Sequence, residues 1–156
     1  MKSFIQLCLA VALVAAPTAA MAAPDQVSLV GDVKLEKTVT EDGRTRTELQ
    51  DPKVVVPGDR LLFTTRYSNT GTRPVQNFVV TNPLPGPVML VAEEGRGYSV
   101  SADGGKTWGQ LGTLKVPDGK GGLRPASAAD VTHLRWVIPS IAPGASGKLE
   151  YHAIVR

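Results

Sequence analysis

Short runs of β-branched and aromatic residues, separated by turns rich in glycine and proline, limit this chain's fold more than any other feature. The sequence holds 16 glycines and 12 prolines, and many lie between such runs. β-Branched and aromatic residues favour strands, whereas glycine and proline favour the turns between them. No stretch keeps a helical apolar period. The pattern therefore predicts an all-β sandwich.

Three segments alternate apolar and polar residues with the period of two that a half-buried strand requires. They cover residues 59–68, 131–138 and 148–155. We expect the inward side chains to be Leu61, Phe63, Thr65 and Tyr67 in the first segment, Leu134, Trp136 and Ile138 in the second, and Leu149, Tyr151, Ala153 and Val155 in the third. Further strands are predicted at residues 27–39, 44–49, 53–56, 75–81, 88–92 and 98–101. Residues 117–130 lack apolar periodicity and predict a long flexible surface loop.

The first 22 residues have the order of a secretory signal peptide. Lys2 precedes an apolar run at residues 4–16, and the small residues Ala20 and Ala22 flank Met21. This order predicts cleavage between Ala22 and Ala23. The alternatives are an uncleaved anchor, for which the run is shorter than the roughly 20 residues that a bilayer requires, and a lipid on Cys8, which lacks a small residue before it.

The mature chain predicted by this cleavage is one exported domain. Removal of 22 of the 156 residues leaves 134 (residues 23–156), and loss of Lys2 lowers the formal net charge from +3 to +2. That charge is too small and dispersed to indicate nucleic-acid binding. The sole cysteine, Cys8, leaves with the signal, so no disulfide is expected. Nothing after Ala23 is long and apolar enough to anchor the mature chain in a membrane. The export signal therefore predicts a periplasmic, extracellular or cell-surface protein.

Four segments resemble, in order and spacing, a bacterial conserved-repeat family known as domain of unknown function eleven. They are Lys-Thr-Val at 37–39, Val-Pro-Gly-Asp at 56–59, Tyr-Ser-Asn-Thr-Gly at 67–71 and Val-Val-Thr-Asn-Pro-Leu-Pro at 79–85. The resemblance implies an immunoglobulin-like antiparallel β-sandwich of exported and surface proteins, usually in tandem copies. Here the copy is single, with an insertion at about 118–130.

The residues of this resemblance are interpreted as turn formers that need not touch a ligand. They are Pro57, Gly58, Asn69, Gly71, Asn82, Pro83 and Pro85. Asn69 and Gly71 tolerate left-handed backbone geometry, and Pro83 and Pro85 end a strand because they remove backbone donors.

The sharpest local motif spans residues 101–108 and resembles the Asp-box of sialidases and other β-propellers. Its residues are Ser101, Asp103, Gly105, Thr107 and Trp108. The resemblance implies a structural clasp, in which the aspartate accepts backbone hydrogen bonds across a hairpin turn and the aromatic residue packs beneath it. A carbohydrate or calcium site is the alternative, although Asp103 supplies one carboxylate where calcium takes about six or more oxygen ligands.

A two-histidine metal site is a further hypothesis. His133 and His152 both point outward in the predicted strands, and with Glu150 they could ligate a metal if those strands were neighbours. A closed zinc site needs about four ligands, so we expect solvated side chains and no metal or other cofactor.

No enzymatic activity is expected from the sequence. Neither histidine stands in a recognisable serine motif, and no nucleophile elbow, phosphate loop or His-Glu-x-x-His helix is present. Lys37 could begin an intramolecular isopeptide bond, but the last strand contains neither Asn nor Asp. We therefore expect a non-catalytic structural or protein-interaction module of the cell envelope that binds an envelope or surface protein. The loops at 117–130 and 93–98 and the exposed strand edges are its candidate surfaces. The alternatives are a carbohydrate-binding or glycan-processing accessory domain and a periplasmic metal-binding protein.

Overall fold

The computed structural model describes residues 27–92 and 97–156. The predicted signal peptide, with its cleavage point between Ala22 and Ala23, and residues 93–96 of one candidate loop lie outside these ranges. The described part contains ten strands: β1 (Val27–Glu41), β2 (Arg44–Gln50), β3 (Arg60–Asn69), β4 (Val75–Pro83), β5 (Val88–Leu90), β6 (Tyr98–Ser101), β7 (Lys115–Pro117), β8 (Leu123–Pro125), β9 (His133–Ile141) and β10 (Ser146–Val155). Two 3-10 turns, Leu111–Thr113 and Ala128–Asp130, accompany them.

The strands form two packed antiparallel sheets and a small hairpin. The larger sheet has the order β2-β1-β3-β10-β5, the smaller has the order β4-β9-β6, and β7 pairs with β8. Side chains from both sheets share one apolar core, and the rings of Trp136 on β9 and Tyr151 on β10 lie 6.2 Å apart. The predicted all-β antiparallel sandwich is confirmed.

Alternation along the strands sets which side chains enter this core. Leu134 and Trp136 on β9 are 0% and 4% exposed, and Ala153 on β10 is fully buried, as their spacing predicts. Phe63 on β3 stacks on Tyr151 with ring centroids 4.8 Å apart. Because inward side chains of two twisted sheets must interdigitate, these few residues fix how the layers pack.

The β1–β2 hairpin extends past the neighbouring strand. β3 pairs with β1 only as far as Glu36, whereas β2 continues the pairing with β1 to Glu41. The hairpin turns at Asp42 and Gly43, whose φ angles are 50° and 73°. Both angles are positive, as a two-residue hairpin turn that matches the strand twist requires.

The strand predicted at 53–56 is wrong. Residues 51–59 carry no strand, and Val54 and Val56 are 77% and 54% exposed. The segment connects β2 to β3, and none of its valines takes part in a strand pairing. β-Branched composition favours a strand only where backbone groups find a partner.

The long flexible loop predicted at 117–130 is also wrong. Strand β8 and the 3-10 turn Ala128–Asp130 lie within it. The Arg124 guanidinium donates two hydrogen bonds of 2.7 Å to the Asp130 carboxylate, which also accepts bonds from the Ser127 backbone and hydroxyl. The guanidinium holds the pKa of Asp130 well below its usual range. These polar contacts order the segment, although it lacks the apolar periodicity of a buried strand.

The corner at Asn69 is built differently from the prediction. Neither Asn69 nor Gly71 has a positive φ. Instead, the fully buried Asn69 amide donates to the carbonyls of Arg73 and Ile141, at 2.8 and 2.9 Å, and its oxygen accepts from the Gly71 N–H at 2.9 Å. Asn69 therefore holds the corner through its side chain, which pairs with backbone groups of three other residues.

The other turn residues join neighbouring elements. Gly58, with φ of 93°, donates its N–H to the Val155 carbonyl at 2.9 Å. The Asn82 amide on β4 donates to the Thr65 hydroxyl on β3 at 2.9 Å and so links the two sheets. β4 ends at Pro83, as predicted, and the Pro85 carbonyl accepts from Val88 in the following turn.

Within residues 27–92 and 97–156, no helix has the length and apolarity to cross a membrane.

Candidate interaction face

The Asp-box residues form the clasp that the sequence predicts. The Asp103 carboxylate accepts hydrogen bonds from the backbone N–H groups of Lys106 and Thr107, at 3.0 and 2.9 Å, and from the Thr107 hydroxyl at 2.7 Å. The Ser101 hydroxyl donates to the same carboxylate at 2.7 Å and accepts from the Gly105 N–H at 2.9 Å. These donors hold the pKa of Asp103 well below its usual range, because each favours the charged form.

Two glycines and a neighbouring threonine complete the turn. Gly104 and Gly105 have φ angles of 77° and 88°, a region that side chains rarely adopt. The Thr132 hydroxyl accepts from the Gly104 N–H and donates to the Ser101 carbonyl, each at 3.1 Å. The clasp is thereby joined to the segment that leads into β9.

The clasp fixes Trp108 on the outer face of the smaller sheet. The indole N–H of Trp108 donates to the Gly105 carbonyl at 2.9 Å. The next residue, Gly109, bridges to Val100 on β6 through two backbone hydrogen bonds. Trp108 reaches across to β9, where the Arg135 guanidinium carbon lies 4.2 Å from the ring centroid and the His133 ring meets the indole edge-on at 6.4 Å.

Arg135 has no hydrogen-bonding partner for its guanidinium among the described residues. Its Nε atom is buried and finds no acceptor, and no carboxylate of a described residue lies within ion-pair distance. The residues directly across from it on the same face are Thr81 on β4 and Ser99 on β6, neither of them charged. Among the described residues, the cation is therefore held by the Trp108 ring and not by an anion.

Two exposed valines lie beside this arginine. Val79 on β4 and Val137 on β9 are directly paired, and they are 50% and 56% exposed. Val137 is two residues from Arg135 and shares its side of the strand. We call the surface formed by Trp108, Arg135, His133, Val79 and Val137 the Trp108–Arg135 face. It combines an aromatic ring, a cation and an apolar pair, which is suited to binding.

The metal hypothesis loses its geometric basis. His133 lies on β9 in the smaller sheet and His152 on β10 in the larger one, so their strands are not neighbours. His152 Nε2 lies 3.1 Å from Glu36, and Glu150 accepts from Lys148 at 2.9 Å. In the part of the chain that the structure describes, no three His, Cys, Asp or Glu side chains come together as metal ligands.

Sequence reasoning found the clasp but missed the surface that it builds. Ser101, Asp103, Gly105, Thr107 and Trp108 stand in one short motif, whereas Arg135, Val79 and Val137 come from two other strands. The alternation that places Leu134 and Trp136 inward also puts Arg135 on the outer side of the strand. No local pattern could indicate that Trp108 would cover it.

Comparisons of the chain with models of protein families, with curated proteins and with solved structures found no match.

Proposed function

We propose that this chain is an exported, non-catalytic protein-interaction module of the bacterial cell envelope, and that it binds an envelope or surface protein through the Trp108–Arg135 face. The signal-like first 22 residues support export to the periplasm or beyond. The resemblance of residues 37–85 to a family of exported and surface proteins supports the same compartment.

The observation that carries the proposal is the exposed Val79–Val137 pair beside Trp108. Each valine leaves about half of its surface in water, whereas Val80 and Trp136, the next residues along the same strands, are buried. Contiguous exposed apolar surface with a polar rim marks interaction sites, and the valine pair is contiguous with the polar Arg135 and with Trp108. Tryptophan and arginine are also the residues most enriched among those that dominate binding energy in protein interfaces.

A protein partner fits this face better than a carbohydrate does. A sugar ring would stack on an open aromatic face, but Arg135 already covers one face of Trp108. The indole N–H is also taken by the Gly105 carbonyl. Glycan-array binding by the mature domain that disappears in Trp108→Ala would favour the carbohydrate alternative instead.

Site-specific photocrosslinking in the producing cell tests the proposal. The full chain would carry benzoylphenylalanine at Val137, or at exposed Thr47 on β2 of the opposite sheet as the matched control. We expect discrete crosslinked species from position 137 and none of the same mass from position 47. An absence of crosslinks at 137, or identical products from both positions, would contradict the proposal.

Export has a separate readout. Intact-mass measurement on the protein from the envelope fraction should give a chain that begins at Ala23. A full-length chain confined to the cytoplasm would overturn the assignment to the envelope.

A further inference from the structure

We propose that the Arg135 guanidinium is a receptor for a carboxylate, supplied by an acidic side chain of the protein partner with apolar residues on either side of it. This inference rests on the proposed function and names the chemistry of the partner at the same face.

Arg135 is ordered before any partner arrives. Trp108 holds the guanidinium from one side at 4.2 Å, and Trp108 is itself fixed by its bond to the Gly105 carbonyl within the clasp. An arginine side chain loses considerable rotamer freedom when it binds an anion. Because stacking has already removed much of that freedom, a ligand that binds here loses less entropy.

Two other arginines of the described chain, Arg46 and Arg124, have carboxylate partners that Arg135 lacks. Arg46 pairs with Glu41 and Glu48, and Arg124 makes a two-pronged pair with Asp130. Arg135 is half-buried, its guanidinium has no acceptor in the part of the chain that the structure describes, and its Nε is shielded from solvent. Partial burial of an uncompensated cation costs free energy, and a carboxylate that accepts two parallel N–H bonds would recover part of it.

The surroundings favour an anion and disfavour a second cation. Thr81 and Ser99 flank Arg135 across the sheet, Val137 follows it along the strand, and none of them bears a negative charge. The carboxylate of the nearby clasp, on Asp103, already accepts hydrogen bonds from Ser101, Lys106 and Thr107. Within residues 27–92 and 97–156, an incoming acid would therefore meet Arg135 without a competing carboxylate on this face.

The valines decide between two sources of carboxylate. An acidic residue in a protein can bring apolar neighbours that cover Val79 and Val137, which are half exposed. A uronic acid offers the same charge, but its ring is edged with hydroxyl groups that would leave these valines unpaired with apolar surface. Charge and apolar area together favour an apolar–acidic–apolar segment.

Nuclear magnetic resonance of the mature domain tests this proposal with defined probes. The side-chain ¹⁵N–H signals of Arg135 Nε and Trp108 Nε1 would be followed during titration with the capped tripeptides Val-Glu-Val and Val-Gln-Val, and with sodium glucuronate. We expect saturable shifts with Val-Glu-Val, binding on the order of tenfold weaker with Val-Gln-Val, and weakening of the Val-Glu-Val complex as salt is raised.

Variants make the result specific to this arginine. Arg135→Gln should abolish the saturable shift at Trp108, and Arg135→Lys, which keeps the charge but not the planar fork, should weaken binding on the order of tenfold. Arg44→Gln, at the tip of the β1–β2 hairpin on the other sheet, is the matched control and should bind as the parent does. Retained backbone amide spectra show that each variant folds.

Several outcomes would overturn the carboxylate assignment. They are equal binding of the two tripeptides, unchanged binding in Arg135→Gln, or tighter binding of glucuronate than of Val-Glu-Val. Crosslinking separates this failure from failure of the proposed function. If the crosslinks at position 137 persist unchanged in Arg135→Gln, the carboxylate proposal is wrong but the proposed interaction module stands. If the parent forms no crosslinks at position 137, the proposed interaction module itself is wrong.

Discussion

Asp103 accepts two hydrogen bonds from Thr107, one from its backbone N–H at 2.9 Å and one from its hydroxyl at 2.7 Å. The pair closes the turn that carries Trp108 onto the outer face of the smaller sheet. Charged acceptors make the stronger hydrogen bonds, so this carboxylate organises the turn more firmly than a neutral group could. The clasp thus connects a local motif to the Trp108–Arg135 face.

Replacement of Asp103 by asparagine should loosen this turn without removing its shape. An amide keeps one acceptor oxygen and loses the charge, so it cannot replace all the bonds that the carboxylate accepts. We expect hydrogen exchange at the Lys106 and Thr107 amides to become roughly tenfold faster or more. The near-ultraviolet circular dichroism of tryptophan should weaken as well. Unchanged exchange at both amides would show that the charge is not needed.

Acid should open the same turn only at low pH. The pKa of Asp103 is depressed below its ordinary value of 3.8. A carboxylate whose pKa is lower in the folded state stabilises that state at pH values above its unfolded pKa. This contribution is lost as the pH falls from the unfolded pKa through the folded pKa. Protection of the Thr107 amide should therefore persist at pH 3.8 and fall below it, and in Asp103→Asn it should not depend on pH in this range.

Asn69 should be the most sensitive polar position of the fold. The Asn69 side chain is fully buried. Asn69→Ala would leave the carbonyls of Arg73 and Ile141 and the N–H of Gly71 without their side-chain partner. We expect a loss of about 2–3 kcal/mol in the free energy of unfolding, measured by urea denaturation. Exposed Thr72 lies in the same corner, and Thr72→Ala should change stability by less than about 0.5 kcal/mol. Equal effects of the two substitutions would contradict this role.

The sequence predicted those parts of the fold that local rules decide. Alternation placed Leu134, Trp136 and Ala153 in the core, because side-chain direction along a strand follows from the backbone alone. It failed where distant partners decide the outcome. The valines at 54–56 have strand propensity but take part in no strand pairing, and β8 depends on contacts such as the bond from the Ala126 N–H to the Leu114 carbonyl.

The candidate site divides in the same way. The Asp103 clasp is a short-range hydrogen-bonded turn, so its residue types and spacing were sufficient to predict it. The stacking of Arg135 on Trp108 joins β9 to the segment after β6, and it depends on how those elements lie side by side. Asn69 was recognised as a corner residue, but its action through a buried amide required the positions of Arg73 and Ile141.

Gly147 should tolerate no side chain while Tyr67 lies over it. The two residues are directly paired between β10 and β3, and a Cβ at Gly147 would overlap the ring and hydroxyl of Tyr67. We expect Gly147→Ala to lower the free energy of unfolding by about 1–3 kcal/mol, because the ring must leave its position. In a Tyr67→Ala background, the loss of unfolding free energy caused by Gly147→Ala should be smaller by about 1 kcal/mol or more. Additive effects in this double-mutant cycle would show that the overlap is relieved elsewhere.

Tyr151 should make the fold sensitive to alkali. Burial raises the pKa of Tyr151 from its ordinary value of 10.0 to about 12, because the core opposes formation of the phenolate. For a group whose folded pKa is raised, the folded state is favoured below the unfolded pKa and loses that advantage as pH rises through the folded value. Stability should therefore decline between pH 10 and 12, by about 2 kcal/mol for this one group. Tyr151→Phe keeps the ring that stacks on Phe63 and removes the ionisable hydroxyl. Urea denaturation at intervals from pH 9 to 12 should show a shallower decline in Tyr151→Phe than in the parent, and parallel curves would mean that other groups cause the alkaline loss.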